Sequence, residues 1–222
     1  MKINRITFSI DKSNLSEKQL KDYNKLNSYY EELLFNFLPK NTEIGGYGFL
    51  NTKFQRNLNE VNLKAYGQII EVYQNISNEV IITKLNDSIE RQIEFLGNQL
   101  KITLIEASKE MSVDMDNFKK AISKANENYS GFERELKVSK FHKSRKFKVS
   151  ICRIVKPAKE FIACQIKNKS GEIIDELDLM ENSSIYDASY EFRKSKWDEN
   201  TLLIFDRFDD LKYSIDTNEY IK

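Results

Sequence analysis

The chain has 222 residues, of which 40% are hydrophobic and 12% are aromatic, and its formal net charge is +1. This composition excludes a disordered chain, and no segment approaches the roughly 18 consecutive apolar residues of a membrane-spanning helix. The first ten residues lack the apolar run of a secretory signal peptide. The two cysteines, Cys152 and Cys164, are too few for a disulfide framework and are predicted to be reduced, buried thiols. We therefore predict a soluble, cytoplasmic protein without a cofactor.

The first predicted elements are a strand and a helix. Apolar residues in partial alternation predict a strand within residues 1–10. Ser16 stands three residues before Gln19, which is the spacing of a capping box at a helix start. Apolar residues then follow at helical intervals until Pro39. Because proline disfavours helical geometry in the residue before it, the helix is predicted over about 16–38.

Two further apolar patterns have the periodicity of amphipathic helices. Apolar residues recur every three or four positions over 58–76 and again over 82–107. This near-heptad spacing predicts two long antiparallel helices joined at about 75–78, with Gly97 as a point that interrupts the second. The same spacing also suits pairing between two copies of the chain, as a homo-oligomer. A shorter helix is predicted around 118–125.

Beyond Gly131 the apolar period changes from about 3.6 to 2, which is typical of strands. Segments 147–151 and 162–166 alternate in this way on the two sides of a turn at Pro157. A third strand is predicted over about 172–179. The three segments therefore indicate an antiparallel meander.

The C-terminal residues predict a short helix and a final hairpin. A capping-box spacing indicates a helix over about 184–192. The apolar segment 201–208 predicts a strand, and 211–215 predicts its return across a turn at Asp209-Asp210.

Together these elements predict an α+β fold. A helical N-terminal part with three or four helices precedes an antiparallel C-terminal β-sheet of about five strands. The predicted boundary separates residues 1–133 from 134–222. Because no Gly-, Ser- or Pro-rich linker lies there, the halves form either two domains or one continuous domain. The N-terminal strand either joins the C-terminal sheet or stays apart from it.

The charge distribution is the most informative feature of the sequence. Residues 134–169 contain twelve Lys and Arg against two acids, whereas residues 172–222 contain six bases against fourteen acids. Lys and Arg neutralise phosphates, and aromatic rings stack on unpaired bases, so the basic segment suits nucleic acid. The predicted nucleic-acid-binding residues are Lys137, Lys140, His142, Lys143, Arg145, Lys146 and Lys148. Phe141 and His142 are the aromatic residues expected to be free, because Phe147 belongs to the apolar side of its strand.

The same basic segment also has a purely structural interpretation. The acids of the predicted third strand can pair with its lysines across the sheet. These acids are Glu172, Asp175, Glu176 and Asp178. In that case the two charged segments neutralise each other within one sheet, and little basic surface remains for a ligand.

The acids near the last hairpin are of the types that hold metal ions in nucleases. Asp198 and Glu199 precede the apolar segment 201–208, and Asp210 with Lys212 forms an Asp-x-Lys pair after it. Exposed turns contain the same residue types, and Asp210 belongs to the predicted turn itself. No catalytic or metal-binding residue is therefore assigned.

Two other features favour structural roles. The segment Gly45-Gly46-Tyr47-Gly48 lacks the Gly-Lys-Ser/Thr ending of a phosphate-binding loop, so a plain turn is predicted. His142 is the only histidine in the sequence, which excludes any site that needs two.

The sequence thus predicts a non-enzymatic binding protein that uses a basic surface to engage nucleic acid or another polyanion. The alternative is a small inhibitory or immunity-type protein that masks a protein partner through a charged face. A metal-dependent nuclease is the least favoured of the three hypotheses.

Overall fold

The structure is a computed structural model, which describes residues 1–12, 15–56, 62–157, 159–182, 185 and 191–221. It divides into two compact units, Met1–Gly131 (unit 1) and Phe132–Lys222 (unit 2). Unit 1 combines helices with one mixed sheet, and unit 2 contains two antiparallel sheets. The predicted α+β class is therefore confirmed. Within the described ranges, no helix has both the length and the apolar character needed to cross a membrane.

The α-helices of the described residues all belong to unit 1. They are α1 (Glu17–Phe37), α2 (Asn78–Leu85), α3 (Ile89–Ser108) and α4 (Met115–Glu127). The strands of unit 1 are β1 (Arg5–Ile10), β2 (Phe49–Gln55), β3 (Asn62–Tyr66) and β4 (Ile69–Asn75). The strands of unit 2 are β5 (Phe132–Glu135), β6 (Lys140–Phe141), β7 (Phe147–Lys156), β8 (Lys159–Asn168), β9 (Ile173–Asn182), β10 (Lys194–Asp198), β11 (Thr201–Phe205) and β12 (Leu211–Asp216).

The sheet of unit 1 has the strand order β1-β2-β4-β3. β1, β2 and β4 are parallel, and β3 pairs antiparallel with β4. The N-terminal strand is confirmed, but its suggested place in the C-terminal sheet is wrong, because β1 pairs with β2. The crossover between these two parallel strands contains α1.

Helix α1 is confirmed, and it also protects an edge of the sheet. Ser16 and Gln19 form the predicted capping box. Two side chains of α1 bond to the outer backbone of β1: Asn27 bonds both the N–H and the carbonyl of Phe8, and Glu31 accepts from the N–H of Ile6 at 3.1 Å. These bonds satisfy backbone groups that would otherwise be unpaired at the sheet edge.

The predicted helix over 58–76 is wrong. From residue 62 onwards this segment forms β3 and β4, while Leu58 and Val61 lie outside the described residues. The strands are joined by a two-residue turn in which Gly67 has a φ of +56°. The chain is rich in β-branched and aromatic residues here, and alternate side chains from Ile70 to Gln74 are buried. The β propensity of these residues therefore favours strands, although the spacing of the apolar residues also fits a helix.

The second predicted long helix is divided into α2 and α3, and because residues 62–66 and 69–75 are strands, the predicted helix pair is not formed. The break lies before the N-cap Ser88, not at Gly97. Gly97 lies inside α3, where a Cβ atom would come within 3.0 Å of the Ile122 side chain on α4. Its small size thus permits close helix packing. Pairing between two copies of the chain through the helical region stays a prediction. The predicted helix around 118–125 is confirmed as α4.

The core of unit 1 lies between one face of the sheet and the helices. Phe8 contacts the Tyr30 ring of α1 edge-on, with ring centroids 5.7 Å apart. Thr52 and Thr103 share a buried hydrogen bond of 2.7 Å, which fixes α3 over the same face. The other face of the sheet presents Asn51, Lys53, Glu71 and Tyr73, and its polar side chains form a network of their own.

The predicted meander in unit 2 is confirmed. β5, β7, β8 and β9 lie side by side in that order, and β6 also pairs with β7. Cys152 pairs with Ala163, so Cys152 and Cys164 lie on opposite faces of the sheet. Both thiols are buried and free, and burial raises the pKa of each to about 12.

A second sheet in unit 2 has the order β10-β11-β12. The hairpin of β11 and β12 was predicted, but β10 was not, because 194–198 contains a single large apolar residue. The helix predicted over 184–192 falls mainly on residues outside the described ranges. Apolar side chains of both sheets, including Ile151, Ile162 and Leu202, form one core.

Candidate nucleic-acid interface

The predicted basic residues lie on one hairpin of unit 2, residues 137–148, which we call the basic hairpin. β6 pairs with the start of β7, and Phe141 stands opposite Lys148. At the tip, the N–H of Arg145 donates to the carbonyl of His142 at 2.8 Å. Arg145 has a φ of +56°, in the left-handed region that few residues other than glycine adopt. A tight turn therefore carries three consecutive charged or polar side chains, at positions 143–145.

His142 holds the base of this turn. Its side chain is 98% buried, its ring stacks on Phe147 at a centroid distance of 4.8 Å, and Trp197 meets it edge-on at 4.9 Å. The N–H of Ser144 donates to its Nδ1 atom at 3.2 Å. The expectation that His142 is a free aromatic contact is therefore wrong, because its ring packs the hairpin. Phe147 lies in the core, as predicted.

Phe141 is the aromatic residue that remains accessible. Its side chain is 58% exposed, and the Lys148 ammonium lies 5.5 Å from its ring centroid. The indole N–H of Trp197 donates to the Phe141 carbonyl at 2.9 Å, so the exposed ring stands on a fixed backbone. The sequence did not indicate this role of Trp197. Nothing near Trp197 in the sequence identifies a partner 56 residues away.

Two lysines of the basic hairpin are held by carbonyl groups. Lys140 donates to the carbonyl of Ser195 at 2.6 Å, and Lys146 donates to the carbonyl of Ile221 at 2.8 Å. A carbonyl orients an ammonium group but does not cancel its charge. Both lysines therefore remain available to an anionic ligand.

Lys148 is instead neutralised. Its Nζ atom lies 2.5 Å from Oε1 of Glu135 on the neighbouring strand β5. Burial raises the pKa of Glu135, but the bond from Lys148, its charge and the hydroxyl of Ser150 together lower it below its usual range. The pair is thus ionised near neutral pH and contributes no net charge to the hairpin.

The remaining predicted residues, Lys137, Lys143 and Arg145, are exposed. Within the part of the chain that the structure describes, none of the three forms an ion pair. Together with Lys140 and Lys146, these three residues flank Phe141 in the sequence. The basic hairpin therefore presents five cations without a carboxylate partner beside one exposed ring.

The predicted pairing of these lysines with the acids of the third strand does not occur. Strand β8 lies between β7 and β9, so the acids of β9 are not neighbours of the basic strand. Glu172 accepts from Asn168, and Glu176 accepts from Gln165 at 2.7 Å. The acids that do pair with this sheet's lysines are Glu135 and Glu133 of β5, the latter 4.0 Å from Lys167, and Glu181 of β9, which lies 2.8 Å from Lys159.

The acidic residues near the last hairpin do not assemble into one site. Asp198 and Glu199 precede β11, whereas Asp206 and Asp210 follow it, so the two groups lie at opposite ends of the strand. Asp206 accepts from the N–H groups of Phe208 and Asp210 and thereby shapes the turn. Among the described residues, no group of three or more His, Cys, Asp or Glu side chains is placed to hold a metal ion.

The glycine-rich segment of unit 1 is a turn. Gly45 and Gly46 have φ values of +53° and +83°, and the N–H of Tyr47 donates to the carbonyl of Ile44 at 2.8 Å. The left-handed conformation of both residues explains the choice of glycine.

Comparison with protein-family models, with curated proteins and with solved structures gives no match for this chain. The functional argument therefore depends on the geometry of the sites themselves.

Proposed function

We propose that the chain is a non-enzymatic, cytoplasmic binding protein whose basic hairpin engages single-stranded nucleic acid. The observation that supports this proposal is that one hairpin carries five cations without a carboxylate partner among the described residues, together with the exposed Phe141 ring. Cations attract the phosphates of any nucleic acid, whereas an exposed ring contributes most when unpaired bases can stack on it. The anchored backbone reduces the conformational entropy that the hairpin loses on binding.

The test is a charge reversal at the tip. The triple variant Lys143→Glu, Arg145→Glu, Lys146→Glu is expected to weaken binding of a single-stranded oligonucleotide by more than about 100-fold at low salt, since each lost phosphate contact removes counterion release. Its plot of log affinity against log salt should flatten by about 2, because the slope is about 0.7 per phosphate for single strands. Trp197 is the only tryptophan in the sequence and donates to the hairpin backbone, so its fluorescence reports binding.

A matched control carries the same change in formal charge elsewhere. Lys18, Lys21 and Lys40 are exposed lysines of unit 1, and their triple change to Glu should leave the affinity within about threefold of wild type, since none of them belongs to the basic hairpin. Equal losses in the two triple variants would show a response to net charge alone. Wild-type affinity in the hairpin variant would reject the proposal.

The stacking contribution is tested separately. Phe141→Ala should weaken binding to a single strand by about 5- to 100-fold, the range measured when a stacking ring is removed. Binding to a duplex of the same sequence should change by less than about twofold. An equal effect on both substrates would show that Phe141 does not contact unpaired bases.

A second candidate function is the masking of a basic protein partner through β9. This edge strand carries Asp175, Glu176 and Asp178, and no described Lys or Arg forms an ion pair with them. Exposed aliphatic side chains lie among these acids, including Leu177 at 56% exposure. An acidic surface of this kind accelerates association with a basic protein.

A pull-down at low and high salt separates the two functions. Recovery of nucleic acid that the hairpin triple variant loses supports the first. Recovery of one stoichiometric basic protein that is lost in Asp178→Lys supports the second, and the hairpin triple variant should retain that protein.

A further inference from the structure

The basic hairpin and strand β9 lie on opposite sides of one sheet in unit 2. One row of paired residues runs from Lys140 of β6 through Val149 and Ile166 to Asp175 of β9. Neighbouring strands are about 4.8 Å apart, so the two ends of this row are separated by about 14 Å. This separation exceeds the reach of an ion pair and the screening length of about 10 Å at about 0.1 M salt. The charges of the two surfaces therefore do not neutralise each other within one chain.

Each of these two surfaces carries charge of a single sign. The basic hairpin, residues 137–148, contains six bases and no acid, whereas residues 170–180 contain four acids and no base. Within the described ranges, Lys148 is the one base of the hairpin with a carboxylate partner. No described Lys or Arg forms an ion pair with the four acids, which are Glu172, Asp175, Glu176 and Asp178. One unit thus presents a basic surface and an acidic surface at the same time.

Apolar side chains accompany the charges on both surfaces. Phe141 on the hairpin and Ile173, Ile174 and Leu177 on β9 are each more than half exposed. Stable protein interfaces combine a buried apolar centre with a polar rim. Strand β9 therefore suits a partner surface that is basic and presents an apolar side chain of its own, and the basic hairpin has both properties.

We propose that the basic hairpin of one copy of the chain docks on strand β9 of a second copy. The proposal names the partner of β9 and so rests on the second candidate function. Contact between two β9 strands is disfavoured, because it places acids against acids. Since the two docking surfaces lie on opposite sides of the sheet, each copy docks on two different neighbours, and such contacts form head-to-tail oligomers and not closed two-fold dimers. A docked copy covers Phe141, so assembly and nucleic-acid binding exclude each other.

The experiment is sedimentation velocity of the full chain, freed of nucleic acid, over a range of protein concentrations. Wild type should form oligomers larger than a dimer at about 50 mM salt and should dissociate at about 500 mM, because salt screens exposed charges. A wild-type chain that stays monomeric at low salt up to millimolar concentration would overturn the proposal. Oligomers that are insensitive to salt would show that another surface is used.

Charge reversal on each surface identifies the contact. The hairpin triple variant and the β9 triple variant Asp175→Lys, Glu176→Lys, Asp178→Lys should each associate at least about 100-fold more weakly than wild type, because like charges then face each other. An equimolar mixture of the two variants should assemble again, since the reversed hairpin of one then meets the reversed β9 of the other. This recovery also shows that both variants are folded.

A single substitution keeps the test independent of folding. Asp178 has no hydrogen bond or ion pair among the described residues, so Asp178→Lys removes no contact within the chain. It should weaken association by at least about tenfold, since one repulsive charge replaces an attractive one. Wild-type association in Asp178→Lys, or no assembly in the mixture of the two triple variants, would contradict the proposal.

A matched control and two binding assays separate this proposal from the proposed functions. The triple change of Lys18, Lys21 and Lys40 to Glu should leave assembly as in wild type, and a loss there would show a response to net charge alone. A monomeric wild type that still binds a single-stranded oligonucleotide rejects assembly and keeps the first function. A monomeric wild type that captures another basic protein, lost in Asp178→Lys, rejects assembly and keeps the second.

Discussion

Each unit contains a carboxylate that is almost removed from water, and the two are satisfied in different ways. In unit 1, Glu71 lies on the polar face of the sheet and accepts from neutral donors as well as from Lys53. In unit 2, Glu160 forms an ion pair with Arg153 of the neighbouring strand, and both side chains have 0% exposure. One carboxylate is thus held by a network at a surface, and the other by a cation in the interior.

Some charged residues stabilise the fold, whereas others are accessible to a ligand. Glu71 and Glu160 have their partners within the protein, and changing either should affect stability. Apart from Lys148, the cations of the basic hairpin have no carboxylate partner in the described part of the chain, so changing them should affect binding. The two classes of charge are therefore carried by different residues, and mutations can test the division.

Two spectroscopic signals report the units separately. The only tryptophan, Trp197, lies in unit 2, and all the described α-helices lie in unit 1. Tryptophan fluorescence therefore follows the unfolding of unit 2, and the helical circular dichroism signal follows that of unit 1.

The largest expected effect is that of Glu160→Gln. The variant removes the Glu160 carboxylate from its ion pair with the buried Arg153 guanidinium, and removing one partner of a buried pair typically costs about 3–5 kcal/mol. Urea unfolding followed by tryptophan fluorescence should show this loss, while the helical signal of unit 1 should be unchanged.

The control for that variant is a pair at the surface of the same sheet. Glu181 lies 2.8 Å from Lys159, and both side chains are more than half exposed. Glu181→Gln should therefore cost less than about 1 kcal/mol. Similar losses in Glu160→Gln and Glu181→Gln would show that burial does not set the energy of these pairs.

The next effect concerns Glu71 and depends on pH. Its pKa in the folded chain, about 2, lies below its ordinary value of 4.5, so the folded state binds its proton less readily than the unfolded state. The stabilisation is then fully present above pH 4.5 and is lost as the pH falls towards 2. Glu71→Gln should destabilise unit 1 by about 2 kcal/mol at neutral pH, since it loses the charge-assisted bonds.

Acid titration distinguishes this effect from a simple loss of packing. The unfolding free energy of unit 1 should fall less steeply between pH 4.5 and 2 in Glu71→Gln than in the wild type. An unchanged slope would show that another group causes the acid dependence.

Much of the fold could be predicted from local signals. The capping box at Ser16 identified α1, and the alternation of apolar residues identified β7 and β8. The sheet of unit 1 could not be found in this way, because apolar residues at positions such as 65, 69 and 72 fit a helix as well as a strand. The decisive feature was the turn at Gly67, which pairs β3 with β4.

The sequence predicted which residue types form the candidate interface, but it did not predict which residues contact one another there. Lysine-rich composition indicated the basic hairpin, and the expectation that Phe141 is exposed was correct, whereas the same expectation for His142 was wrong. Burial of His142 depends on Trp197, and neutralisation of Lys148 depends on strand β5 lying beside β7. Sequence spacing alone does not specify which strands become neighbours.

The smallest stability effect is expected at Arg145 and is the sharpest test of the division between the two classes of charge. Its φ of +56° is strained for a residue with a Cβ atom, so Arg145→Gly should stabilise unit 2 by up to about 1 kcal/mol. The same change removes one cation and should weaken binding to a single-stranded oligonucleotide while lowering its salt slope by about 0.7.

Arg145→Ala is the control for this variant. It should weaken binding by the same factor without increasing stability. Arg145→Gly would then gain stability and lose affinity, whereas Arg145→Ala would lose affinity alone. This is the result expected if the chain keeps a charged residue at a position whose backbone conformation favours glycine. A loss of stability in Arg145→Gly would instead show that the arginine side chain supports the turn.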